Sequence, residues 1–475
     1  MKNSKFTELH KEIIKKIKPS KTVQKKVNAT VNRLIKRVNQ TIKNLSPDYK
    51  LEPILVGSVA KDTYLKDPDI DIFIMFPKSI PVAELKKYGL EIGYAVLPDG
   101  EERYAEHPYI SGKFNGFDTD IVPCYKLTNI SDRMTAVDRT PFHTRFIKTH
   151  LHPEQHDEVR LLKQFLKGID AYGAEIEVQG FSGYLCELLI LYYGTFRNVL
   201  QAAINWPSGL VLKLSSDVSN SLMRDKSSRE KSAFSLTLSR KFRQHQLVFI
   251  DPVDSNRNVA SALEPEQFEL FITACQAYLA QPRREFFFPK PITPLSINQL
   301  KKLLQEEHRN ILSVAFETPD VVPDILHGQL RKCQKAIQKL LDTAGFGVVH
   351  SKYFDNNRTL ILFELKLAKL PDMETHYGPP VDHANENDFL AKWRAASSAL
   401  DKPYQKDGRW VVDIKREFTE PLDLVKVNIS HLNVGKHVTE TIKKKLELHQ
   451  NTNVIRIGYE KPLTQFLIRK NSWEY

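Results

Sequence analysis

The sequence predicts an α+β fold divided into about three domains, and three observations carry that prediction. Its 475 residues exceed what one hydrophobic core organises. The first third alternates strand-like apolar runs with helical periods, the middle third turns helical, and the last third returns to the mixture. Prolines cluster in "EFFFPKPITPLS", where the second change occurs, as expected of a domain boundary. The resulting division is 1–152, 153–289 and 290–475.

Taken in order, "KFTELHKEIIKKIK" has apolar residues at helical spacing and stops at Pro19-Ser20. A second helix, "KTVQKKVNATVNRLIKRVNQTIKNL", follows with Ser20 as its N-cap. "LEPILVGS", "DIDIFIMF" and "DTDIVPCYKL" read as strands, with a helix around "VAELKKYGLEIGYAVL". From "PEQHDEVRLLKQFLKG" onward the pattern is helical, and Val159, Leu162, Phe165 and Leu166 form one apolar stripe. "FSGYLCELLILYYGTF" is interrupted by Glu187 and short for a membrane span, so it reads as a buried helix. The stretch at about 207–246, rich in serine and basic residues, reads as a long surface loop or disordered insert. Beyond the prolines, helices ("QLRKCQKAIQKLLDTAG", "ENDFLAKWRAASSAL") alternate with strands ("TLILFELKLA", "RWVVDIKREF"), which predicts further α+β units.

A charged fraction of 27% beside 41% hydrophobic residues is that of a folded, soluble chain. The net charge of +12 favours a polyanionic partner such as nucleic acid, although charge alone fits a merely soluble basic protein equally well. Cys124, Cys186, Cys275 and Cys333 show no CxxC pair or zinc-type spacing, which fits free thiols in a reducing compartment. The lysine-rich amino terminus lacks an apolar signal region and carries Glu8 and Glu12, against a signal or transit peptide. A cytoplasmic protein without membrane attachment is expected.

The segment "GSVAKDTYLKDPDIDIFIMF", residues 57–76, carries the chemistry. In a strand Asp69 and Asp71 share one face while Ile70, Ile72 and Ile74 take the other. Two like charges in one small patch call for a hard cation with oxygen ligands. A third carboxylate can join from "GFDTDIVPCY", where Asp120 lies beside the apolar Ile121-Val122 run and is preferred over Asp118. Three carboxylates around two Mg2+ ions are the arrangement that activates a hydroxyl and neutralises a triphosphate. The Gly57-Ser58 turn offers N–H groups and a hydroxyl to phosphate oxygens, and Lys61 adds positive charge.

This spacing resembles the nucleotidyltransferase superfamily that includes DNA polymerase β. The longer motifs "ERYAEHPYISGKFNGFDTDIVPCYKL", "AVDRTPFHTRF", "EVRLLKQFLK", "YGAEIEVQGFSGYLCELLI" and "DPVDSNRNVA" resemble the archaeal-type, class I CCA-adding tRNA nucleotidyltransferases. The similarity is dense from about residue 50 to about 290, and looser through "GRWVVDIKREFTEP" and "HLNVGKHVTETIKKKLEL". The resemblance implies a polymerase-β-like head (1–152), a helical neck recognising the base (153–289), and an α+β body and tail binding tRNA (290–475). It implies template-independent addition of C, C and A to the tRNA 3' end from CTP and ATP, with pyrophosphate released. Asp69, Asp71 and Asp120 match the metal-binding carboxylates, the first being often glutamate in relatives. Ser58 matches a phosphate ligand. Lys61 stands where arginine can occur, keeping the charge but losing bidentate geometry. His143, Lys163 and Tyr172 match nucleotide-binding positions, and Arg257 matches a residue that helps recognise the base. By itself each of these four side chains is more often structural. The serine-rich insert is longer than the family pattern.

A poly(A) polymerase or other terminal RNA nucleotidyltransferase is the alternative enzyme, sharing the carboxylates but not the stop after three additions. A non-catalytic RNA-binding protein fits less well, because it has no use for three clustered acids. The acceptor stem and TΨC arm of tRNA are expected to be held by phosphate contacts from Lys436, Lys443, Lys444 and Lys445. The basic excess is expected partly in the C-terminal half. The sequence leaves open whether the chain forms a homodimer.

Overall fold

A computed structural model describes residues 2–45, 49–104, 106–214, 242 and 244–474. The serine-rich stretch falls largely at 215–241, outside the described residues. The chain divides into two compact units, one of residues 1–291 and 470–475, the other of residues 292–469.

In the first unit Pro19 separates α1 (Lys2–Ile17) from α2 (Lys21–Leu45). The Ser20 hydroxyl accepts from the Val23 N–H at 3.2 Å, which is the expected N-cap. The strand-like runs become β1 (Glu52–Val56) and, after the single helical turn α3 (Gly57–Ala60), β2 (Ile70–Pro77). Then come α4 (Val82–Val96), β3 (Glu101–Tyr104), β4 (Pro108–Phe114) and β5 (Phe117–Lys126). The sheet order is β1-β2-β5-β4-β3, with β2 and β5 parallel and the other pairs antiparallel.

Alternation along β2 fixes which face meets which layer. Ile70, Ile72, Ile74 and Phe76 are fully buried and share a core with Val27, Leu34 and Val38 of α2 and Leu85 and Ile92 of α4. On the other face Val56, Phe73, Val122 and Cys124 form a small cluster. That leaves Asp71, two residues before Phe73, and Asp120, two before Val122, on the face away from α2.

The rest of the unit is mainly helical: α5 (Thr140–His150), α6 (Gln155–Gly168), α7 (Gly183–Tyr193) and α8 (Phe196–Ala203). Short parallel strands β6 (Leu210–Leu212) and β7 (Leu247–Phe249) precede α9 (Pro265–Ala280). Val159, Leu162, Phe165 and Leu166 are fully buried, as their spacing predicts. α1 belongs to this second core through Phe6, Ile13 and Ile17. The chain's end joins it too, with Trp473 stacked on Phe286 at 5.3 Å.

The second unit holds an antiparallel sheet with strand order 447–450, 310–317, 358–365, 348–355, and a three-stranded sheet of 373–380, 409–415 and 404–406. The helix Lys436–Lys444 buries Val438 and Ile442, one turn apart, and leaves its lysines outward. All four cysteines are buried thiols. Among the described residues no helix is long and apolar enough to cross a membrane.

Candidate active site

Strand register brings the carboxylates together. β2 and β5 pair so that Asp71 stands opposite Asp120, and Ser111 of β4 stands opposite Asp120 on its other side. Asp69 lies just before β2 and stays solvent-facing. Burial, then Asp120 and Asp69, raise the Asp71 carboxyl to about 7. Desolvation also raises Asp69, with Asp118 adding to it, and raises Asp120 against a hydrogen bond from Ser111. Three acids that oppose each other's ionisation form a site for added positive charge.

Gly57 is required here. Its φ of +71° is left-handed, and a Cβ built on it would lie 1.8 Å from Asp71 Oδ2. The backbone before Ser58 is thus pressed against the carboxylate that Ser58 must neighbour. Among the described residues no three Asp, Glu, His or Cys side chains close into a metal cage.

The cations sit behind this patch, and the sequence did not show what holds them. Glu187 of α7, visible beforehand only as an interruption in an apolar run, is fully buried. Lys61 Nζ lies 2.6 Å from its Oε2, Lys163 Nζ lies 3.6 Å from its Oε1, and the Thr63 hydroxyl donates to Oε1 at 2.5 Å. Lys163 also donates to the Thr63 carbonyl at 3.1 Å. Lys163 is 2% exposed, unlike the solvated lysine its helix position suggests by itself. Burial pushes the Glu187 carboxyl up, but Lys61 and Lys163 outweigh it and hold it below the usual carboxylate range. Both lysines lower the Asp71 carboxyl electrostatically, against burial and the neighbouring acids.

A second buried acid, Asp251, gathers the remaining predicted residues. His143 Nε2 is 2.9 Å from its Oδ2, Arg257 Nη1 donates to the same oxygen at 3.0 Å, and the Tyr184 hydroxyl donates to Oδ1 at 3.2 Å. His143 stacks on the Tyr184 ring at 4.0 Å, and Lys61 lies 5.9 Å over that ring, joining the two clusters. Burial alone would raise the Asp251 carboxyl. His143 and Arg257 instead hold it at about 2. Tyr172 bridges to Phe181, and its hydroxyl lies 3.0 Å from the position of a Cβ on Gly183, which is also 3.6 Å from Lys163 Nζ. Burial pushes the Tyr172 hydroxyl far up, so it stays protonated.

Arg160 fastens these parts together. Only 1% exposed, it donates to the Tyr64 carbonyl, the Asp62 carbonyl and carboxylate, and Asp157 at 2.7–2.9 Å, tying the loop after α3 to α6. Within the first unit, Ser58, Lys61, Asp69, Asp71, Asp120, His143, Lys163, Tyr172 and Arg257 thus belong to one connected region. Lys436, Lys443, Lys444 and Lys445 lie in the second unit, all exposed, with Lys445 paired to Glu447 at 3.2 Å. Glu187, Asp251, Tyr184 and Arg160 were missed as site residues. The signal for two of them was an acid inside an apolar stretch, which demands a buried partner.

Three family profiles match the chain: "Nucleotidyltransferase domain" at residues 35–143, "tRNA nucleotidyltransferase, second domain" at 157–288, and "CCA-adding enzyme, C-terminal domain" at 307–451. A "CCA-adding enzyme" of Methanosarcina acetivorans is 34% identical, covering 94% of each chain. One of Methanocaldococcus jannaschii is 36% identical over 94% of this chain and 96% of its own. Among solved structures, a cytoplasmic RNA terminal U-transferase is similar at 16% identity and a TM-score of 0.43, covering 61% of this chain and all of that one.

Proposed function

This chain belongs to the archaeal-type CCA-adding tRNA nucleotidyltransferase family, and from that premise we propose how its residues add C, C and A to the 3' end of tRNA from CTP and ATP. The observation that carries the reading is the register that sets Asp71 opposite Asp120, with Gly57 packed against Asp71. Asp69, Asp71 and Asp120 would hold two Mg2+ ions, which when bound would lower the pKa of the attacking 3'-hydroxyl and neutralise the triphosphate and its pyrophosphate leaving group.

Ser58 donates its hydroxyl to a phosphate oxygen of the incoming nucleotide. Lys61 and Lys163, fixed by Glu187, balance the charge of the phosphates, and Tyr172 donates a hydrogen bond from its protonated hydroxyl. Asp251 fixes Arg257 from one side, leaving the outer edge of a guanidinium about one-third exposed to meet the base. Cytosine N3 and adenine N1 both accept a hydrogen bond beside an exocyclic amino donor, whereas uracil and guanine present a ring N–H there. One arginine donor therefore admits C and A and leaves unpaired groups against U and G. His143, stacked on Tyr184, keeps Asp251 in place.

The test is to incubate the protein with Mg2+, CTP and ATP on a tRNA transcript lacking its 3' CCA, and to sequence the product ends. The reading requires CCA and a stop. A run of A on an oligo(A) primer instead would convert it to poly(A) synthesis.

A further inference from the structure

The basic excess is concentrated at the amino end. Residues 1–50 carry 14 lysines and arginines against three acids, net +11, while residues 51–475 are nearly balanced. Residues 291–475 do carry an excess, net +4, as expected, but residues 51–290 are net −3 and the densest positive charge sits at the amino end.

Within that end α2 has no acidic residue in its 25 positions. Lys21, Lys25, Lys26, Arg33, Lys36 and Arg37 are all exposed. At about 100° per residue they fall within an arc of about 160°. The opposite arc, with Val27, Val31, Leu34, Val38 and Ile42, is buried. None of the six is in an ion pair among the described residues; Arg37 donates to the Ala95 carbonyl at 3.1 Å, and Lys26 lies 5.0 Å over the Phe117 ring. A face kept only for solubility mixes both signs. This one is a single-sign stripe about 24 Å long from Lys21 to Arg37, at 1.5 Å per residue.

We propose that the outer face of α2 is a second RNA-binding surface, which takes the phosphate backbone of an RNA duplex without reading its sequence. A stripe of unpaired cations matches a line of phosphates. An anionic membrane is the poorer fit, because surface helices insert an apolar face and that of α2 is already packed in the core. α2 covers the sheet face opposite Asp71 and Asp120, so RNA bound here is not the reacting 3' end. The stripe retains RNA, either a distant part of the substrate or another molecule, while the carboxylates work independently. The inference builds on RNA as the substrate class.

The experiment measures binding of the full chain to an RNA duplex with both 3' ends blocked, as a function of salt, for the wild type and for Lys25→Gln/Arg33→Gln/Lys36→Gln. Removing three contacts should lower the log–log salt slope by up to about 2.7. Affinity near 100 mM salt should fall by roughly tenfold or more, while kcat on a short acceptor minihelix stays unchanged. Equal slopes and affinities would overturn the proposal. So would loss of binding to phosphatidylserine vesicles with duplex binding intact. Wild-type protein that binds the blocked duplex but adds no CCA would sink the enzymatic reading and leave this surface standing.

Discussion

At the residue scale, charge placed in apolar surroundings decides most of what the site can do. Asp71→Asn or Asp120→Asn removes a carboxylate from the paired register and leaves every exposed cation in place. Nucleotide addition should fall by at least two to three orders of magnitude, about 3–4 kcal/mol of transition-state stabilisation, with tRNA affinity nearly unchanged. Measuring turnover and tRNA binding on the same preparation checks both halves. Gly57→Ala should be as inactive, because its Cβ would occupy the place of Asp71 Oδ2. Asp251→Asn keeps the shape but removes the charge that aligns Arg257. We expect roughly a thirtyfold loss in kcat/KM for CTP and ATP, about 2 kcal/mol, with relaxed rejection of UTP. Unchanged ratios for all four nucleotides would contradict the role given to Arg257. The aspartate pair was legible in the sequence because strand alternation is local. Asp251 was not, since it lies 108 residues from the histidine it holds, and no periodicity links them.

At the scale of elements, α6 and α7 are packed helices, as their apolar spacing predicts, but their packing is not purely apolar. The stripe of Val159, Leu162, Phe165 and Leu166 was visible, and Lys163 stood out only through the family resemblance, while Arg160 drew no reading at all. Both cations are buried because α7 supplies Glu187 and the loop after α3 supplies carbonyl and carboxylate partners, a pairing only tertiary structure makes. Glu187→Leu should therefore destabilise the first unit by about 3–5 kcal/mol, since it leaves two cations buried without a counter-charge. Urea unfolding followed at the aromatic core reads this out. α1 provides a pH-dependent counterpart. His10, bonded to the Tyr278 hydroxyl at 3.0 Å, is lowered to about 4 by burial and by Arg197. The unfolded chain binds the proton more readily, so the contribution of His10 is intact above about 6.5 and is lost as pH falls toward 4. Thermal melting should steepen downward over that window, and His10→Phe should flatten it. An identical pH profile in the variant would remove His10 from the account.

At the scale of the whole molecule, the question is what the second unit contributes to substrate choice. Residues 292–469 carry 26 lysines and arginines against 22 acids, a net charge of +4 spread over the whole unit, so a local cluster must supply the field that holds RNA. Lys436, Lys443, Lys444 and Lys445 form one, on and just after a helix whose Val438 and Ile442 anchor it to the core. Contacts from such lysines go to phosphates, which position a duplex by its A-form shape and carry no sequence information. A minihelix of acceptor stem and TΨC arm should therefore be extended almost as well as whole tRNA, and a single strand with the same 3' end poorly. Replacing Lys443, Lys444 and Lys445 with glutamine should raise KM for tRNA and leave the nucleotide constants alone. Lys445 already leans on Glu447 at 3.2 Å, so the salt slope should fall by about 1.8, as for two contacts, and not by the full three. This loss differs from that at α2 in one respect: here it appears in the KM for a reacting minihelix, there in the retention of a duplex that cannot react. If the single strand and the minihelix are extended equally, these lysines do not select the substrate, and selection lies wholly in the pocket around Asp251.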